Sequence, residues 1–125
     1  MTIETIFGQV IAKANHYQAV PSKNGEKRII KDDVIREYEQ SFIKQCTKYK
    51  NMRINEPCRF ICTVYNVNDR YDLDNSIKTI LDCLQYVGAI TNDKLVVEIQ
   101  AQKRICKNLP RIEFGIERLQ QNLFD

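Results

Sequence analysis

Arg59-Phe60-Ile61-Cys62-Thr63-Val64-Tyr65-Asn66-Val67, followed after a polar link by Asp72-Leu73-Asp74-Asn75, is the stretch on which the reading of this chain turns. The first run is rich in β-branched and aromatic residues and apolar on both faces. It predicts a strand covered on both sides and so near the middle of a sheet. After Asp72 the period changes: Leu73, Ile77, Ile80, Leu81 and Leu84 recur at helical spacing, and Gly88 is placed to end the helix. A strand that passes directly into an amphipathic helix predicts an α/β fold with helices packed on the sheet.

Upstream, residues 2–12 alternate, with Ile3, Thr5 and Phe7 on one side and Ile6, Gly8 and Val10 on the other, as a strand does. A polar stretch over residues 15–25 contains Pro21 and the tight-turn pair Asn24-Gly25. It predicts a ribbon that returns through Arg28-Ile29-Ile30. From Asp32 the helical period brings Ile35, Tyr38, Phe42, Cys46 and Tyr49 together in a helix running to about Lys50, and Asn55-Glu56-Pro57 breaks it. Downstream, residues 95–103 read as a strand. Ile112, Phe114 and Ile116 point inward from another, and Asn108 and Pro110 mark the link between the two as a hairpin. The whole of residues 1–125 is expected to form one domain: a mixed sheet with two main helices.

The chain has 43% hydrophobic and 28% charged residues, the balance of a globular protein rather than a disordered or membrane one. No run approaches the roughly 20 apolar residues of a membrane span, and Met1-Thr2-Ile3-Glu4 lacks the order of a signal peptide. A cytoplasmic protein with no membrane partner is expected. Five cysteines, Cys46, Cys58, Cys62, Cys83 and Cys106, are an odd number that points to reduced, buried thiols. Zinc is a weak option, because Cys58 and Cys62 are roughly 13 Å apart along a strand and His16 has no Cys beside it.

The formal net charge of +3 is unevenly spread. Lys13, Lys23, Lys27, Arg28 and Lys31 face a single acid, Glu26, in the first arm, whereas Asp69, Asp72, Asp74, Asp82 and Asp93 crowd one later region. A basic arm beside a carboxylate cluster suits a protein that grips a polyanion and binds divalent cations, although a solvated basic hairpin accounts for the arm equally well.

Asp74, Lys78 and Asp82 stand at i, i+4 and i+8 and share one helix face, expected to lie roughly opposite the Leu73, Ile77, Ile80 and Leu84 stripe. Crowded carboxylates repel unless a cation neutralises them, and their hard oxygens select Mg²⁺ or Mn²⁺ over zinc or copper. Such an ion lowers the pKa of a bound water and offsets charge on a phosphoryl transition state, with Lys78 at the phosphate. Helix capping and an i,i+4 ion pair are the competing explanation for Asp72, Asp74 and Lys78. Capping does not reach Asp93 or explain why Asp69 and Asn75 share the spot. Asp69, Asp82 and Glu98 are further candidates around the ion.

These residues, Asp72-Leu73-Asp74-Asn75 with Lys78, Asp82, Leu84, Gly88, Asn92-Asp93 and Val96-Val97, resemble the signature of the RusA family of Holliday junction resolvases. Asn15 and Tyr17 are similar to an Asn-x-Tyr of that family, and Lys103 to one of its lysines. The resemblance implies a RusA-like fold and a homodimer that nicks opposing strands of a four-way DNA junction. It also implies that Asp72, Asp74 and Asp93 bind the metal, that Lys78 assists at the phosphate, and that the source is a bacterium or phage. Asn75, Asp82 and Asn92 would support the metal ligands. Lys13, Asn15, Tyr17, Lys23, Lys27, Arg28, Lys31, Arg70 and Lys103 would contact DNA. Tyr71 stands where a basic residue is frequent, Asn92 where a second Asp is frequent, and Ala12-Lys13-Ala14 replaces a proline-rich opening. Two rival readings are a non-catalytic branched-DNA-binding or phage assembly module of the same fold, and a hydrolase of another phosphodiester.

Overall fold

In the computed structural model, which describes residues 1–12, 17–21, 27–31 and 33–119, the decisive stretch forms β4 (Cys58–Asn66). It lies inside a four-stranded sheet of order β1-β6-β4-β5, with β1 (Glu4–Phe7), β5 (Val96–Ile105) and β6 (Arg111–Arg118). β2 (Tyr17–Pro21) and β3 (Lys27–Lys31) form a separate antiparallel pair, as the Asn24-Gly25 turn predicted, although the turn itself lies outside the described residues. Two helices complete the fold: α1 (Asp33–Gln45) before β4, and α2 (Leu73–Tyr86) after it.

The central position expected for β4 is found, but burial on both faces is not. Cys58, Phe60, Cys62, Val64 and Asn66 are buried while Arg59, Ile61, Thr63 and Tyr65 are half-buried. Both helices pack on one side, where Phe42, Ile77 and Ile80 join Phe60, Val64 and Phe114 in one core. The other side is closed by polar pairs instead. Arg59 bridges Glu98 on β5 (2.7 Å) and Glu117 on β6 (3.1 Å), and the Arg111 guanidinium lies 3.8 Å from the centre of the Tyr65 ring. A mixed run such as Arg59-Phe60-Ile61-Cys62 is thus compatible with a one-sided sheet whose outer face is ion-paired.

The hairpin expected between β5 and β6 is also corrected. β5 pairs parallel to β4, and β6 pairs antiparallel to both β4 and β1. The turn at 106–110 therefore steps across the end of β4, where Cys106 N–H donates to the Asn66 carbonyl at 2.8 Å. This places Ile112, Phe114 and Ile116 in the middle of the core, and Phe114 packs against Phe42, Tyr49 and Phe60 with ring centres 5.7–5.9 Å apart.

α1 ends five residues before the expected Lys50. The amides of Thr47 and Lys48, which would continue the helix, donate to the buried Glu4 carboxylate of β1 at 2.9 and 2.7 Å. An ionised acceptor outcompetes helical carbonyls, because charge-assisted hydrogen bonds are the stronger ones. Tyr49 is nevertheless buried, its hydroxyl accepting from Ile116 N–H. β1 is shorter than predicted, since Gly8 at φ +112° turns the chain and donates to the Pro110 carbonyl at 2.9 Å. α2 stops as expected: Gly88 adopts φ +74°, with Gly88 N–H on Gln85 O and Ala89 N–H on Leu84 O, the paired bonds that close a helix at a left-handed residue.

Four of the five thiols are buried and none is bonded to another. Burial pushes the Cys62 thiol up to about 12, and burial together with the Glu4 carboxylate does the same for Cys46. Among the described residues no helix is long and apolar enough to cross a membrane.

Three consequences are measurable. Phe114→Ala is expected to cost about 3–5 kcal/mol in urea unfolding, because it empties the centre of the aromatic cluster. Gly88→Ala is expected to cost about 1 kcal/mol or more. It forces an L residue into φ +74° and sets a Cβ 3.0 Å from Asn51 Oδ1. In alkylation followed by mass spectrometry at neutral pH, half-exposed Cys106 is expected to react first, and Cys46 and Cys62 only on unfolding.

Candidate active site

β4 ends at Asn66, a buried amide that ties three segments together. Its Oδ1 accepts from Gln9 Nε2 at 2.7 Å, Gln9 Oε1 accepts from Val67 N–H at 2.9 Å, and the Asn66 carbonyl holds the turn after β5. Asn68 Oδ1 then accepts from Arg70 N–H at 3.0 Å, so the loop at 67–72 enters α2 from a defined direction. Gln9 and Asn66 escaped the sequence reading. Asn66 carried a signal, a polar side chain at the inward register of an apolar strand, a position that burial allows only when it is hydrogen-bonded, whereas half-buried Gln9 lies beyond the end of β1 and carried none.

Asp72 occupies the N-cap position of α2 with extended backbone, yet its carboxylate makes no capping hydrogen bond. Its carbonyl receives the Ser76 amide (3.2 Å) and hydroxyl (3.0 Å), while its Oδ2 faces the Asn75 amide at 3.3 Å. Capping therefore does not account for this acid. Asp74 and Lys78, one turn apart, are both exposed and form no ion pair with each other. The side chains of Asp74, Lys78 and Asp93 have no hydrogen-bond or ion-pair partner among the described residues. Asp74 and Lys78 stand on the rim of an apolar groove between α2 and β5, lined by Leu73, Ile77, Leu81, Ile99 and Ala101. They border the apolar side of the helix rather than lying opposite it.

Lys103 of β5 reaches the same place, its ammonium donating to the Tyr71 carbonyl at 3.1 Å. It also lines a cavity of about 540 Å³ at the end of β4 and β5, with Tyr65, Asn68, Asp69 and Arg104. Arg70 is exposed in the loop between. Asp72, Asp74, Asn75, Lys78, Arg70 and Lys103 are thus brought to one end of the sheet.

Asp93 is not. It opens a single 3-10 turn (Asp93–Leu95) immediately before β5, and the parallel register pairs Cys58 with Val96, so this turn lies where β4 begins. Asp72 and Asp74 lie where β4 has finished. The 14 residues of α2 between them span about 20 Å. Accordingly, no group of three or more Asp, Glu, His or Cys stands close enough to hold an ion among the described residues. The expectation that Asp93 returns to Asp74 after the turn is corrected for a single chain, because the crossover carries it to the opposite end.

Other expected supporters are also elsewhere. Asn92 accepts from Lys94 N–H at 2.9 Å and caps the 3-10 turn. Glu98 is held by Arg59 on the open face of the sheet, and the Arg59 guanidinium keeps its carboxyl below the usual range. Asp82 lies two turns along α2, about 12 Å from Asp74. Lys13, Asn15 and Lys23 lie outside the described residues. Tyr17, Lys27, Arg28 and Lys31 are on the β2–β3 pair.

With this geometry in place, the chain matches the family model described as endodeoxyribonuclease RusA over residues 8–117. The protein belongs to the RusA family. It is an endodeoxyribonuclease of the Holliday junction resolvase kind, in a family that is generally dependent on divalent metal. A comparison with curated proteins finds no individual match. The matched region spans every element from the Gly8 turn to β6, so Gln9, Asn66 and the Asp72–Lys78 segment all fall within it.

Proposed function

We propose that this RusA family member resolves four-way DNA junctions as a Mg²⁺-dependent homodimer, each site combining Asp72, Asp74 and Lys78 of one copy with Asp93 of the other. The observation that carries this reading is that Asp72, Asp74 and Asp93 are exposed carboxylates not engaged in capping or ion pairing, two at one end of the sheet and one at the other. The donor set fits Mg²⁺, with Mn²⁺ as a substitute: it consists of hard oxygens, and Asn75 holds one of the acids from outside. A bound divalent ion supplies an acidic water and neutralises charge at the phosphorus.

The chain's own residues do the rest. Lys78 stands one turn beyond Asp74 and places an ammonium against the phosphate oxygens without first breaking an internal ion pair. Lys103 and Arg70, at the same end, hold the flanking backbone. Lys13, Asn15, Tyr17, Lys23, Lys27, Arg28 and Lys31 form the arm that grips the junction, with affinity that falls steeply with salt. Two cuts in opposing strands need two sites related by a two-fold axis, which a homodimer provides.

Labelled four-way, duplex and single-stranded DNA with and without Mg²⁺ test the assignment. Asp74→Asn is expected to slow junction nicking by roughly 100-fold or more with binding retained; nicking at the wild-type rate would remove Asp74 from the metal. Lys78→Ala is expected to lower the single-turnover rate by about 100-fold with little change in junction affinity. An equal loss of binding would assign it to the grip. Asp74→Asn and Asp93→Asn subunits, each inactive alone, are expected to regain nicking when mixed, because a mixed dimer contains one intact shared site. Failure to complement, with mixed dimers shown to form, would place Asp93 outside the partner's site.

A further inference from the structure

β5 is the outer strand of the sheet. One of its edges pairs with β4, and no strand pairs with the other among the described residues. None of its ten residues is buried, and Val97, Ile99 and Ile105 are 42%, 46% and 62% exposed. Exposed strand edges invite pairing with another chain, and proteins that leave them free blunt them with proline, bulges or charged side chains, of which β5 carries Glu98, Lys103 and Arg104 on either side of an uncharged centre. β5 has no proline. Its pairing with β4 is irregular only at Cys58/Arg59 and runs unbroken from Glu98 to Ile105. Beside it lies the groove formed by Leu73, Ile77, Leu81, Ile99 and Ala101, which has almost no polar surface.

We infer that β5 is the seam of the homodimer, pairing antiparallel with β5 of a second copy about a two-fold axis near Ala101. The inference rests on the shared site proposed above and identifies the surface that builds it. Direction is decided by the placement of the acids. Antiparallel pairing lays the start of one β5, which follows Asp93, beside the end of the other, where Lys103 touches the Asp72 loop. Parallel pairing would set Asp93 against Asp93 and complete neither site.

Register follows from side-chain chemistry. Residues opposite one another in an antiparallel pair share a face, so a two-fold axis passes through or beside one residue. Centring on Ala101 puts the smallest side chain of the strand at the axis. It also sets Val97 opposite the partner's Ile105, Glu98 opposite the partner's Arg104, and Ile99 against the aliphatic stem of the partner's Lys103. An axis normal to the sheet leaves both pairs of helices on the same side. The two grooves then meet in one covered apolar seam, and the two sites lie on either side of it.

The test is made on the full chain carrying Cys106→Ser, to remove the half-exposed thiol. Sedimentation is expected to show a dimer. Ile99→Lys is expected to raise its dissociation constant roughly 100-fold, since it buries like charges at the seam. Ala101→Cys is expected to give a covalent dimer on mild oxidation, since paired Cα atoms about 4.5–5.5 Å apart permit a disulfide. Thr47→Cys, exposed on the far side of the molecule from β5, is expected to give none. Circular dichroism identifies any variant that fails to fold. A dimer that withstands Ile99→Lys and does not cross-link through Ala101→Cys overturns the seam and leaves the shared site standing. A monomer that nicks junctions overturns both.

Discussion

The parallel pairing of β4 with β5 is the constraint on which the rest of this molecule depends. Antiparallel strands can be joined by a tight turn, but parallel ones need a crossover, and here α2 is that crossover. Once α2 must run from the end of β4 back to the start of β5, its N-terminus and the turn after it are separated by the length of the sheet. The Asp72 loop and Asp93 are adjacent to opposite ends of the same helix for this reason. The proposed centre, which draws on both, therefore calls for a second copy's strand ends alongside.

What marks the Asp72 end as a candidate site is how its polar groups are allotted. Gln9 and Asn66 satisfy each other and the chain on either side, so the strand end is rigid without drawing on the acids. The carbonyl of Asp72, not its carboxylate, begins the helix. Asp74 and Lys78 could form an ordinary i,i+4 ion pair and do not. Carboxylates left in this condition repel one another and favour a cation, and an ammonium without an internal partner is available to a phosphate. The same acids, had they capped and paired, would have been explained by helix stability alone.

The two faces of the sheet divide the remaining work. The helix side holds the aromatic core around Phe114 and the Glu4 carboxylate that ends α1, and the sheet is anchored there. The open side is closed by Arg59 between Glu98 and Glu117 and by Arg111 over Tyr65, which consume charges that would otherwise have been counted as DNA or metal contacts. That leaves Glu98, acidic and close in sequence to Asp93, paired with Arg59 on the open face, away from Asp72 and Asp74.

Much of this was legible in the chain itself. The helical stripe from Leu73 to Leu84, its stop at Gly88 and the pairing of β2 with β3 followed from local periodicity and spacing, which are properties of a short segment. Local spacing also exposed Asp72-Leu73-Asp74-Asn75 with Lys78 as one unit. It could not show that β5 joins β4 in parallel while β6 crosses to the other side. It could not show that Glu4 ends α1, that Asn66 needs Gln9, or that Arg59 takes Glu98, because each depends on a residue more than 35 positions away. The sequence by itself marked which carboxylates are candidates for chemistry. The tertiary structure decided which of them share an end of the sheet, because only the direction of strand pairing states where a crossover helix returns the chain.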